Sequence, residues 1–210
     1  MGFPFGVIKV DKFEKTFAAF RKYYKPIPLE VLGKNPYKSL ISVLLSSRTL
    51  DTTTHKAARK LFKKAPNVKK LSLLDENTIR KLIYPVGFYN TKALHLKRLS
   101  KIILTNFKGE IPQTRKELMK LPGVGRKTAN LVLNRAFGKP AIAVDTHVHR
   151  ISNLLGWVKT KTPEQTEKAL ESILPRKFCS DINRLFVSIG QQYRHKTELL
   201  DFLIKKGLLR

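Results

Sequence analysis

Cysteine and acid are scarce in this sequence. A single cysteine, Cys179, stands among 210 residues. One thiol excludes an intrachain disulfide framework, and no cysteine cluster is present to ligate zinc or iron. Acidic residues number 15 against 42 lysines and arginines, a formal net charge of +27. Ordinary surfaces mix both signs, and an excess this large repels itself in the folded state unless an anionic partner screens it. The partner expected from charge is nucleic acid, with an anionic membrane surface as the rival. No run approaches 18 consecutive apolar residues, so no helix should span a bilayer. The opening residues, MGFPFGVIKVDKF, lack a basic stretch followed by a long apolar run and do not read as a signal peptide. The expectation is a soluble intracellular protein.

Alternating strand patterns, low-complexity tracts and internal repeats are also missing; helical periodicity is what remains. Phe13, Phe17, Phe20 and Tyr24 share one face of a first helix. Asn35-Pro36 reads as a cap followed by proline at the first helical position. Amphipathic segments are expected over Asp51–Lys64 and near Asp75–Ile83. Asn90 is expected to cap a long helix running to Phe107, with Ala93, Leu96, Ile103 and Leu104 in its core face. A short helix follows Thr114. Further helices are expected over Arg126–Phe137 and Thr146–Leu155, after a Thr162-Pro163 capping box, and near Asp181–Tyr193 and Glu198–Lys206, with Gly207 as a stop signal. The fold class is all-α, with about ten or eleven short helices.

The most informative stretch is LPGVGRKTANLVLNRAFGKPAIAVDTH, Leu121 to His147. Leu121-Pro122-Gly123-Val124-Gly125 reads as a tight hairpin between two helices, with glycines that permit positive φ and close approach of the backbone to a ligand. The second helix starts at once, so its unpaired amides and positive dipole end converge on the hairpin and form an anion site. In a chain this basic the expected anion is a DNA phosphate. Ala129, Val132, Leu133 and Ala136 form the buried stripe of that helix. Lys127 falls on another face with Asn130, Leu131 and Asn134. A lysine at a helix start opposes the dipole. That position costs stability and suits an amine nucleophile of the Schiff-base kind.

The string LPGVGRKTAN followed by AVDTH resembles the helix–hairpin–helix DNA glycosylases, specifically the endonuclease III branch. LLSSRTLD, GFYNTKA, GEIP and VDTHVHRISNLLGW match segments of that branch in the same order, over roughly residues 30 to 192. The resemblance implies two helical domains with a DNA-binding cleft between them. A six-helix barrel over residues 29–139 would contain the helix–hairpin–helix motif, and residues 1–28 would join residues 140–210 in the second domain. It implies a bifunctional DNA glycosylase and abasic-site lyase of base excision repair, acting on damaged, expectedly oxidised, pyrimidines. Lys127 stands where the family has its catalytic amine and Asp145 where it has its catalytic aspartate. Gly123, Gly125 and Arg126 stand in the phosphate-binding hairpin. Phe88 stands where the family drives an apolar wedge into the duplex. Arg48 stands where a glutamine often fills the gap left by the extruded base, and His147 in a loop that faces DNA. Three plainer roles stay open: Phe88 as a core aromatic, Asp145 as the N-cap of the helix that follows it, and Arg48 as one more surface cation.

The resemblance further implies double-stranded DNA with damaged bases or abasic sites as partner, no membrane association, a monomer, and an intracellular, cytoplasmic or nucleoid-associated location. No metal is required. An alkali ion at the hairpin carbonyls of Met119, Leu121 and Val124 is a possibility the family raises. Most relatives carry an iron–sulfur cluster held by four cysteines after the Gly-Gln pair. Here that region reads GQQYRHKTELLDFLIKKGLLR, with Arg194 at the first expected cysteine. No iron–sulfur cluster is expected. An apolar stripe of Leu199, Leu200, Leu203 and Ile204 could pack a final helix in its place, or the tail could fray. Two other functions share many of these features: a uracil or thymine mismatch glycosylase, and a DNA-binding module without catalysis. Lys127 and Asp145 together argue against the second.

Overall fold

In the computed structural model, residues 10–26 and 35–209 are described; the opening nine residues, including most of the stretch read against a signal peptide, lie outside them. Side-chain caps decide where many helices begin. Asn35 accepts the Lys38 amide at 3.0 Å, and α2 (Pro36–Ser46) starts there with proline first. Asn67, Asp75, Thr114 and Thr162 cap α4 (Val68–Leu73), α5 (Glu76–Ile83), α7 (Arg115–Leu118) and α10 (Pro163–Ile173) in the same way. The other helices are α1 (Val10–Lys22), α3 (Asp51–Lys64), α6 (Tyr89–Asn106), α8 (Arg126–Phe137), α9 (Thr146–Leu154), α11 (Arg176–Cys179), α12 (Ile182–Gln192) and α13 (Lys196–Lys205). No strand occurs among the described residues, and the fold is all-helical.

Several local expectations change. The short helices α4 and α11 have too few turns for periodicity to reveal. Asn90 does not cap α6. The N-cap is Phe88, in left-handed backbone, and Asn90 lies inside the first turn. Leu104 is only half-buried, whereas Leu99 and Ser100 are buried. At the α10 start, Thr162 accepts the Gln165 amide, but Gln165 Oε1 reaches the Lys161 amide rather than that of the cap residue.

The chain divides into two compact units, residues 28–139 and residues 1–27 with 140–210. In the first, α2 packs on α8 and α3, and α6 packs on α4 and α5. Leu40, Ile41, Leu45, Leu61, Ile79 and Leu96 are among its fully buried side chains. In the second, α12 packs on α9 and α1 around an aromatic core. Phe17 stacks on Phe178 at 4.2 Å between ring centres, and Phe13 meets Trp157 edge-on at 4.6 Å. Tyr24 lies beyond the end of α1 and is half-buried.

The final helix belongs to this second core. Leu199, Phe202 and Leu203 are buried there, and Tyr193 stacks on Phe202 at 4.5 Å. Ile204 is 53% exposed. Positions 199, 202, 203 and 206 share one helical face, and 204 turns away from it. Lys206 donates to the Tyr23 hydroxyl at 2.6 Å and lies over the Tyr23 ring, and that hydrogen bond pulls the phenol below its ordinary pKa. The tail is therefore packed rather than frayed. Leu203→Ala should cost about 2–4 kcal/mol, as other large-to-small core changes do, and deleting residues 197–210 should lower the melting temperature. Denaturant and thermal unfolding measure both; an unchanged midpoint in either would mean that α13 does not stabilise the unit.

Candidate functional site

In the unit of residues 28–139, a run of short backbone bonds turns α7 into α8. The Lys120 amide bonds Glu117 O at 3.0 Å, Leu121 bonds Leu118 O at 3.1 Å and Val124 bonds Leu121 O at 3.1 Å. Leu121 and Val124 are buried and anchor the hairpin, while Met119 is exposed. Gly123 has φ +80, and a Cβ there would stand 2.6 Å from His95 Nδ1, so both backbone and space demand glycine. Gly125 differs from the expectation. It is extended, with φ −90, and needs no special freedom, but the space a Cβ would take is open. A side chain there would stand in front of the helix start.

No side chain caps α8, and no acid lies in its first turn. The positive end of its dipole therefore meets no carboxylate of its own first turn. Arg126 is half-buried and Lys127 exposed in that turn. The expected faces of α8 need revision: Asn130 and Leu131, grouped with Lys127 from spacing, are buried, and Ala136 is only half-buried. Because α8 packs against both α2 and α7, its buried arc is wider than one stripe and leaves Lys127 outside only through its place at the very start.

The same unit holds Arg48 and Phe88. Both are exposed and both have left-handed backbone, φ 51 and φ 58. Phe88 is 61% exposed, which removes the core-aromatic reading. The Arg48 guanidinium lies over the Phe88 ring, 5.4 Å from its centre. A cavity of about 280 Å³ lies beside them, with Arg48, Phe88, Lys92, His95, Gly123 and Thr128 in its walls. Lys92 was not singled out from the sequence. It is 8% exposed, and its ammonium donates to Leu45 O at 2.8 Å, Ser47 O at 2.6 Å and Thr49 Oγ1 at 3.3 Å. Burial pulls its pKa down to about 8. Its spacing four before buried Leu96 was the available signal.

In the other unit, Asp145 caps α9. Its Oδ1 accepts the amides of His147 at 3.0 Å and Val148 at 2.9 Å, and Oδ2 takes no part in the cap. Buried Ile142, Ala143 and Val144 precede it, and Asn183 of α12 donates to Ala143 O at 3.0 Å. The carboxylate is thus held rigidly at a helix start. His147 lies in the first turn of α9, not in a loop, with its ring against Gly190 of α12. Among the described residues, no group of three His, Cys, Asp or Glu side chains is placed to hold a metal ion. Cys179 is buried, and burial pushes its thiol pKa up.

Residues 41–176 match the HhH-GPD superfamily of base excision DNA repair proteins. The chain is 45% identical over 172 residues to endonuclease III of Thermotoga maritima, covering 82% of this chain and 81% of that one. It is 45% identical over 159 residues to endonuclease III-like protein 1 of Mus musculus, covering 74% of this chain and 53% of that one, so it spans about half the length of the mouse protein. A solved structure of a trapped endonuclease III–DNA covalent intermediate superposes with a TM-score of 0.79 at 34% identity, over 90% of this chain and 86% of that one.

The two hairpin glycines should separate in experiment. Gly123→Ala should cost about 1–2 kcal/mol of stability, because its left-handed backbone penalises a Cβ. Gly125→Ala should leave stability nearly unchanged and weaken DNA binding, because its methyl would meet only the ligand. Denaturant unfolding and DNA titration check the pair; a large stability loss at Gly125, or unchanged binding, would contradict the assignment.

Proposed function

The chain belongs to the HhH-GPD superfamily of base excision DNA repair proteins, in its endonuclease III branch, and we propose that Lys127 is the amine that carries its reaction. It is a DNA glycosylase and abasic-site lyase that binds DNA. The observation that supports the assignment is the start of α8: an exposed lysine in an uncapped first turn without an acid, next to a hairpin whose second glycine faces open space.

A base stacked in a duplex is out of reach of any amine, so the nucleotide first leaves the stack. The Lys127 amine attacks C1′ of the deoxyribose as the base departs. A Schiff base forms, and β-elimination cuts the strand 3′ to the lesion. The capped, rigid Asp145 carboxylate offsets positive charge at the sugar or moves a proton to or from Lys127. Gly123, Gly125 and Arg126 hold a phosphate at the hairpin, His147 adds a DNA contact, and Arg48 and Phe88 enter the space the nucleotide vacates. The preferred bases are oxidised pyrimidines, in duplex DNA, and the enzyme acts as a monomer inside the cell.

The residues present do not fit an iron–sulfur cluster, which takes four thiolates where this chain has Cys179 alone. The reaction proposed needs neither a metal nor a redox cofactor. An alkali ion at the Met119, Leu121 and Val124 carbonyls would serve only to hold the hairpin. Packing of α13 takes over the structural role that the resemblance gives to a cluster loop.

Borohydride should trap a covalent adduct between the protein and DNA carrying an oxidised pyrimidine, and Lys127→Gln should abolish it; full trapping by the variant would remove Lys127 from the mechanism. Purified protein should be colourless and free of iron by metal analysis, and stoichiometric iron would overturn the cluster-free reading.

A further inference from the structure

Lys92 uses all three of its N–H bonds. Its partners are the Leu45 carbonyl, the Ser47 carbonyl and the Thr49 hydroxyl. An ammonium has three donors and no acceptor, so the protonated form is matched in full. A nucleophilic amine needs an available lone pair, and this nitrogen is committed to three oxygens. Lys92 is therefore not a second Schiff-base amine, although it lies in a cavity wall with its pKa lowered by burial.

What the ammonium holds is the turn between α2 and α3. Ser47 and Thr49 flank Arg48, and the Thr49 hydroxyl also accepts the Gly87 amide at 3.1 Å. A Cβ at Gly87 would collide with the Arg48 carbonyl, so the two turns meet backbone to backbone. Phe88 comes next, and its carbonyl accepts the Lys92 amide at 3.0 Å. Arg48 and Phe88 are two of three described non-glycine residues with positive φ. Such backbone persists only where the surroundings over-determine it. Here both strained tips are tied to one lysine, one through its side chain and the other through its main chain.

We infer that Lys92 is a positioning residue: its ammonium clamps the turns at 47–49 and 87–88 into one preformed unit that presents Arg48 and Phe88 together to the duplex. The inference rests on the reading of these two residues as the groups that fill the vacated space. Preformation matters because a wedge that must order itself during base extrusion pays that cost in the barrier. Loss of the clamp should therefore slow nucleotide extrusion and leave Schiff-base chemistry at an already open abasic site much less affected.

The test is single-turnover kinetics of the full chain on two duplexes, one with paired thymine glycol and one with a preformed abasic site. Each carries 2-aminopurine opposite the reacting position, to report unstacking by fluorescence. Lys92→Met should slow excision of thymine glycol on the order of tenfold to a hundredfold, the penalty of small misplacements at reacting sites, and should suppress the fluorescence rise. Cleavage at the abasic site should fall far less. Thr49→Val should move both readouts in the same direction by a smaller amount, and it carries the test if Lys92→Met does not fold. Equal losses on both substrates, or a full fluorescence rise in the variants, would overturn the clamp. Phe88→Ala, run in parallel, separates the two levels. If it suppresses the rise and the Lys92 and Thr49 variants do not, the clamp alone fails. If it too leaves the rise intact, the duplex-filling reading fails and the clamp with it.

Discussion

Lys92, Lys97 and Arg150 are held by the carbonyl ends of helices rather than by acids. Acids number 15 against 42 lysines and arginines, so carboxylates are scarce partners. Lys92 donates to the last turn and cap of α2, at Leu45 and Ser47. Lys97 does the same at the end of α4, to Ser72 O at 2.7 Å and Leu74 O at 2.6 Å. Arg150 reaches the end of α12, to the carbonyls of Gly190, Tyr193 and Arg194. Each cation meets the negative end of a helix dipole and carbonyls that the helix leaves unpaired. One contact thereby satisfies a buried or half-buried charge and finishes a helix.

That economy shapes the surface. Ion pairs such as Arg21–Asp181 and Lys177–Glu14 are partly exposed and contribute little to stability. The apolar cores and the cation–carbonyl contacts hold the units, and the remaining positive charge is available to phosphates. At the α8 start the positive end of a helix has neither a side-chain cap nor an acid in its first turn, as also at α6 and α12. A basic protein that binds a polyanion can leave such a site unsatisfied until the ligand arrives.

Strain is concentrated where the proposed function needs reach. Arg48 and Phe88 project from left-handed backbone at the ends of well-packed helices, and their ring–guanidinium contact joins them. Gly123 is confined by His95, which also lines the cavity beside Arg48 and Phe88. The hairpin and the two projecting residues thus share one compact unit and common cavity walls. Asp145 gains its rigidity separately, from the cap it makes on α9 and from the buried segment before it.

Several helix starts were legible in the sequence because a cap and its amide lie three residues apart. Asn35, Asp75, Thr114 and Thr162 announce themselves within a single turn. The hairpin, its lysine and the all-helical class were legible for the same local reason, and the excess of positive charge needs only a count. Tertiary structure decided what depends on distant chain. It closed both sides of α8 and buried Asn130 and Leu131, which spacing had grouped with Lys127. It placed the start of α6 at Phe88 rather than Asn90, beside the point where Gly87 lies against the Arg48 carbonyl. It turned Lys92, one of many lysines in the sequence, into a buried ammonium by bringing it to a carbonyl 47 residues away. Local rules follow from bonds that close within a turn; which cation is buried, and which backbone is strained, depends on contacts that exist only once the helices have packed.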